Sequence, residues 1–254
     1  MRICFYINQF LLFIMIFIGP PFGNYVKLDN TVSIKGSFTL EPRSGLFMQI
    51  LKTLRYSFIH GGWVNKIGLR NKGIDWAIKD FEKNKSTIYS IALFNENEID
   101  KIVEKIPKNM NIEINVSCPN VEKSVVNDGL YKFLNEQRKW CIVKLSPKTP
   151  YHLIDSYYDQ GFRQFHCCNT VPVNQGGLSG KSIQPYSFKM ANYIKTKYPN
   201  SEIIGGGGIQ SSQDIENYKK NGCNHFAIST LLFHPFKFGH FYINNIYKPR
   251  KYQE

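Results

Sequence analysis

The feature that most limits how this chain can fold is a rhythm: short apolar runs with strand character alternate with longer amphipathic stretches along most of its length. Strands are predicted at Thr31 to Phe38, Ser86 to Leu93, Asn111 to Val116, Trp140 to Leu145, Gln164 to Cys168, Glu202 to Gly205 and His225 to Ser229. Glu96 to Ile106, Tyr151 to Gln160, Gln184 to Tyr198 and Ser212 to Asn221 read as helices, and Ile99, Ile102/Val103 and Ile106 keep a helical period on one face of the first. Strand and helix in repeated alternation build a parallel sheet. An eighth strand fits the unbroken apolar run Phe10 to Ile18, which ends at Gly19-Pro20-Pro21 as a buried parallel strand would. Eight such units make a (β/α)8 TIM barrel of the α/β class, for which ~250 residues is typical, and the chain has 254. No Gly/Ser-rich or Pro-rich linker divides it, so residues 10–247 are assigned to one barrel, with 1–9 an N-terminal extension and 248–254 a C-terminal tail.

The competing reading of Phe10 to Ile18 is an export signal or membrane anchor behind Arg2. Nine residues are too few to span a bilayer, and no small-residue cleavage site follows. The strand is favoured, and with it a cytoplasmic protein rather than one associated with a membrane through residues 10–18. Six cysteines (Cys4, Cys118, Cys141, Cys167, Cys168 and Cys223) have neither metal-ligand spacing nor the pattern of a disulfide framework, which favours a reducing compartment and no metal. The net charge of +13 comes from Lys and Arg spread along the chain without a basic run of five. That is a solvated lysine-rich surface rather than a nucleic-acid interface.

Three stretches carry chemistry. Asn115-Val116-Ser117-Cys118-Pro119-Asn120 sets a thiol between two carboxamides where an apolar strand runs out. The amides can grip a planar polar ligand, and the thiol, as thiolate, can remove a proton. The alternative is a structural cysteine in a turn. Gly205 to Gly208 removes four side chains ahead of the caps Ser211 and Ser212, so that backbone amides of Gly206, Gly207 and Gly208 can approach an anion, and Ser229 and Thr230 add hydroxyls at the end of the eighth strand. Barrels often bind phosphate after strands seven and eight. Lys144 interrupts the apolar strand Cys141-Ile142-Val143-Lys144-Leu145 and, buried there, requires a counter-charge; its alternative role is an inward lysine paired with a neighbouring carboxylate.

Together with Gly36-Ser37-Phe38-Thr39-Leu40-Glu41-Pro42-Arg43, Val64 to Asn71, Asn169-Thr170 and Gly176-Gly177-Leu178-Ser179-Gly180-Lys181, these segments resemble, in order and spacing, the dihydroorotate dehydrogenases, FMN-dependent barrel enzymes of pyrimidine synthesis. The resemblance implies FMN as cofactor, held by Gly36, Ser37, Asn115, Lys144, Asn169, Ser179, Gly180, Gly206, Gly207, Gly208, Ser229 and Thr230. It implies dihydroorotate as substrate, held by Asn65, Asn115, Asn120, Asn169 and Thr170, with Cys118 as the base, the residue that marks the soluble class. Two alternatives stay open: the same flavin barrel acting on another dihydropyrimidine-like ring, or a degenerate flavin-binding barrel without turnover.

Two departures from the pattern stand out. Soluble members carry a lysine where this chain has Gly36, and Lys35, displaced by one in a strand, is expected to face away from the barrel mouth. Only about ten residues separate Asn24 from Lys35, so the first helix is expected to be shortened or missing, leaving that flank to the N-terminal segment or to a second subunit in a homodimer. Asn24 and Lys27 are polar groups near enough to compensate for the lost cation.

Overall fold

The structure, a computed structural model, describes residues 14–116 and 128–247. In chain order its elements are β1 (Ile16–Ile18), β2 (Thr31–Phe38), α1 (Leu46–Thr53), β3 (Arg55–Ser57), β4 (Gly62–Asn65), α2 (Ile74–Lys83), β5 (Ile88–Ala92), α3 (Asn97–Lys105), β6 (Ile112–Asn115), β7 (Cys141–Leu145), α4 (Tyr151–Asp159), β8 (Gln164–Cys167), β9 (Val171–Val173), β10 (Gly176–Ser179), α5 (Gln184–Lys197), β11 (Glu202–Gly206), α6 (Ser212–Lys220), β12 (His225–Ile228) and α7 (Pro235–Asn245). Eight of the strands close a parallel barrel in the order β1-β12-β11-β8-β7-β6-β5-β2. β1 closes it, pairing with β12 on one side and β2 on the other, so the described end of the apolar run 10–18 is the opening barrel strand.

Strand alternation sorts side chains to the two faces. Outward residues such as Tyr89, Ile91, Ile112, Ile114, Val143, Phe165 and Ile203 pack under the helices, where α2 contributes Ile74, Ala77 and Phe81 at helical spacing. Inward residues Phe17, Ile34, Ile88, Trp140, Ile142, Ile204 and Ala227 form a separate cluster inside the barrel. Between β1 and β2 there is no α-helix, only the 3-10 turn Phe22–Asn24. Asn24 Oδ1 accepts a hydrogen bond from Gly36 N at 3.0 Å, tying this turn to β2, whereas Lys27 is exposed.

The strand-and-helix rhythm does not reveal a second sheet, antiparallel in the order β3-β4-β10-β9, whose pieces come from two distant loops. Its strands are three or four residues long, too short to leave a period-2 signature. Gly177 pairs with Asn65 and Ser179 with Trp63, which carries both loops to the carboxyl end of the barrel. Among the described residues no helix is long and apolar enough to cross a membrane.

Candidate active site

At the carboxyl ends of the barrel strands an open cavity of about 860 Å³ is lined by Asn65 from β4, Lys144 from β7, His166, Cys168, Asn169 and Thr170 from β8 and its loop, Ser179 and Gly180, Gly206 to Gly208, and Ser229 and Thr230. No carboxylate appears on the described wall, and Lys144 is its single cation.

Beneath the wall lies a fully buried carboxylate, Glu113. It points inward because β6 alternates, with Ile112 and Ile114 outside and Glu113 and Asn115 inside. Lys144 Nζ lies 3.2 Å from Glu113 Oε1 and His166 Nδ1 lies 2.6 Å from Oε2. Burial alone would raise the Glu113 pKa; the Lys144 ammonium and the His166 and Ser90 donors outweigh it and hold Glu113 down to about 2. Burial, followed by the charge of Lys144, depresses the pKa of His166, so near neutrality the ring is neutral and donates from Nδ1 to Glu113.

The charge on Glu113 orders a chain of donors. Ser90 Oγ donates to Glu113 Oε1 at 2.8 Å, which spends its one proton. Ser37 Oγ, 2.9 Å from Ser90 Oγ, must therefore donate to it, and Ser37 in turn accepts from Asn115 Nδ2 at 2.9 Å. Asn115 Oδ1 accepts from Asn169 Nδ2 at 3.1 Å, and Asn169 Oδ1 accepts from Thr170 N at 2.8 Å. Asn115 and Asn169, both with candidate ligand-binding roles, thus have their amide orientation set by a carboxylate three and four hydrogen bonds away.

Gly36 and Ser37 belong to β2 and are not on the cavity wall; Ser37 reaches the site through Asn115. A Cβ on Gly36, at φ +117, would stand 2.5 Å from Ser90 O, so this backbone has no room for the lysine that the family pattern places there. Lys35 points outward, 2.6 Å from Asp80 Oδ2 on α2, as its register predicts. Ser229 lines the cavity but donates its hydroxyl to Pro20 O at 2.9 Å. Ser211 caps α6, accepting from Asp214 N at 3.2 Å. Asn120 and Cys118 lie outside the described residues. Cys168 on the cavity wall is no substitute base, because burial pushes its thiol up to about 12.

Sequence reasoning missed Glu113 and His166. The signal was there: each is a polar residue between apolar neighbours in a strand, and β7 and β8 pair Lys144 with His166 directly. The counter-charge that Lys144 requires is Glu113, and the pairing does not remove Lys144 from the cavity wall.

A closed parallel barrel whose carboxyl-end cavity is bordered by glycines and has, on its described wall, one lysine and no carboxylate defines a protein built to hold an anionic cofactor. A model of the dihydroorotate dehydrogenase family matches residues 21–247, and the chain belongs to that family. It is 31% identical over 251 residues to the dihydroorotate dehydrogenase B (NAD(+)) catalytic subunit of Petrotoga mobilis, covering 85% of this chain and 81% of that protein. With the protein of the same description from Geotalea uraniireducens it shares 28% identity over 252 residues, covering 85% and 80%. With dihydroorotate dehydrogenase A (fumarate) of Limosilactobacillus reuteri it shares 28% over 235 residues, covering 78% and 74%. In fold it is similar to the ligand-free dihydroorotate dehydrogenase of Eimeria tenella, with a TM-score of 0.69 and 18% identity over 87% of this chain and 80% of that one.

Proposed function

We propose that this chain oxidises dihydroorotate to orotate in de novo pyrimidine biosynthesis, as an FMN-dependent oxidoreductase acting on a CH–CH bond. The observation that carries this reading is the cavity itself: a cation, a run of glycines and a chain of amides converge on one space whose described wall holds no carboxylate. Such a donor set fits a phosphorylated ring that gains negative charge. FMN, when bound, supplies the two-electron acceptor.

The chain's own residues do the rest. Gly206, Gly207 and Gly208, with the backbone at Ser229 and Thr230, would hold the phosphate, and Ser179 and Gly180 would border the ring. Lys144 would stand beside the part of the ring where charge accumulates. Asn65, Asn115, Asn169 and Thr170, joined by Asn120, would fix the substrate ring and its carboxylate, the first step in aligning the transferred hydrogen. Cys118 would take the proton alpha to the carbonyl. A free thiol has pKa ~8.5, so this role requires a lowered pKa or proton loss coupled to the reaction.

The buried thiols Cys141, Cys167, Cys168 and Cys223 are unpaired, which supports a reducing compartment such as the cytoplasm. A homodimer would add cover to the flank between β1 and β2 that has no helix of its own.

Cys118→Ala tests the assigned base. It should keep FMN bound and slow flavin reduction by dihydroorotate by at least ~10²-fold, the usual loss for a missing general base. Near-normal reduction would remove Cys118 from the mechanism.

A further inference from the structure

The floor of the cavity carries one group more than charge compensation requires. Glu113 and Lys144 already cancel each other, and His166 bonds the same carboxylate through Nδ1. With Nδ1–H committed to Glu113, the basic atom of the ring is Nε2. That atom lies on the side of Gly206, where a Cβ would approach it to 2.7 Å; glycine at this position places no side chain against Nε2, at the cavity that the otherwise buried His166 lines. The groups facing the ring are few. β6 supplies Glu113 and β7 supplies Lys144; β11 presents Ile204 and Gly206, β12 presents Ala227, and β5 reaches the cluster only through the Ser90 hydroxyl. Cys168, just past the end of β8, is a neutral thiol.

A flavin that accepts hydride gains two electrons and one proton, and therefore one negative charge. On the described wall Lys144 is already matched by Glu113, which leaves the new negative charge without a counter-charge there. His166 is neutral, borders the same space and can gain a positive charge at Nε2. A proton there would be held by Glu113 behind and by the new negative charge in front, and so would appear only when the ring is reduced.

We propose that His166 is a redox-linked proton acceptor: it takes up one proton from solvent at Nε2 when the bound flavin is reduced and gives it back on reoxidation. The balance is two electrons and one proton delivered to the flavin as hydride, with one further proton from water to His166. His166 is in this sense a positioning residue for charge and does not touch the transferred hydrogen. The inference rests on the flavin reading above.

The test is the midpoint potential of the FMN-loaded protein followed from about pH 5 to about pH 8, the range in which histidine titrates. Each proton taken up with a pair of electrons moves the potential by about 30 mV per pH unit. The wild type should approach twice that slope over part of the range. His166→Asn, whose amide can still donate to Glu113, should fall to the single-proton slope throughout. A merely structural role would shift the potential by a constant and leave the slope alone, and equal slopes in the two proteins would overturn the proposal.

A second readout needs no variant. With the chain's six histidines labelled with ¹⁵N, one Nε2 resonance should move from an unprotonated to a protonated position on anaerobic reduction, and no such movement would equally overturn the proposal. Protein that binds no FMN would overturn both the inference and the function beneath it, and would be recognised by its lack of colour before any titration.

Discussion

The two ends of the barrel interior each contain a histidine bonded to a glutamate at 2.6 Å, and they use the pair in opposite ways. At the amino-terminal end His225 Nε2 meets Glu202 Oε1 while its Nδ1 accepts from Met15 N, so both ring nitrogens are spent and the tautomer is fixed. The ring packs edge-on against Phe17 and Trp140, themselves in an edge contact at 5.3 Å, and Glu202 reaches partly into solvent. At the carboxyl-terminal end Glu113 is fully buried, serves Lys144 and Ser90 as well as His166, and leaves one ring nitrogen beside a cavity. One end is a plug, in which polar groups finish the packing. The other is a charged layer that the plug makes affordable, because a rigid apolar base holds strands β6, β7 and β8 in the register that brings three ionisable groups together.

Breaking the plug should give the largest effect. Trp140→Ala removes a buried indole from the inward cluster and should lower stability by about 3–5 kcal/mol, read from the denaturant midpoint. Folded protein should still bind FMN, since no cavity-lining residue changes. Loss of FMN at full stability would mean that the two ends are not separable in this way.

Removing the carboxylate of the charged layer comes next. Glu113 has its pKa lowered to about 2 from a usual 4.5, so its contribution, about 3 kcal/mol, is fully present above the unfolded value and is lost as pH falls from about 4.5 towards 2. Glu113→Gln should therefore be about 3 kcal/mol less stable than the wild type near neutrality, and the gap should close across that acid window. His166 acts in the same direction but earlier: its depressed pKa means that its contribution fades as pH falls below the ordinary histidine value of 6.5. Unfolding curves of both proteins at a series of pH values check this. A gap that stays constant down to pH ~2 would show that Glu113 acts through packing alone.

The smallest effects distinguish the two lysines. Lys144→Met should weaken FMN binding or slow its reduction by more than ~10-fold, at least ~1.4 kcal/mol, within reach of one charge-assisted hydrogen bond. Lys35→Met should leave reduction nearly unchanged, because Lys35 pairs with Asp80 outside the barrel. The reverse pattern in stopped-flow reduction would place the working cation on β2 rather than β7.

How much of this was legible in the sequence depended on the length of the signal. The barrel strands were readable because each alternates or runs apolar over several residues, and β1 because an apolar run of nine ends at Gly-Pro-Pro. The antiparallel sheet was not, since β3, β4, β9 and β10 gain their partners only when two loops over a hundred residues apart meet. Helices α1, α2 and α7 were also missed. α1 has no buried residue at all, although Leu46/Ile50 and Phe47/Leu51 keep helical spacing, so its signal was present and was passed over. Within the site, Lys144 and the glycine run could be picked out by residue type, and the outward turn of Lys35 followed from strand parity. Glu113 and His166 obey the same parity but make sense only once strand pairing puts them beside Lys144. The relay from Glu113 to Asn169 crosses four strands or their ends, and no local pattern encodes it.

The most direct test of the whole account is anaerobic mixing of the purified, FMN-loaded protein with dihydroorotate while the flavin's visible absorbance is recorded. The account predicts a yellow protein that bleaches with the release of one orotate per flavin. A protein that binds FMN but keeps its colour under dihydroorotate would contradict it, leaving a flavin barrel whose charged layer serves another ring or no turnover.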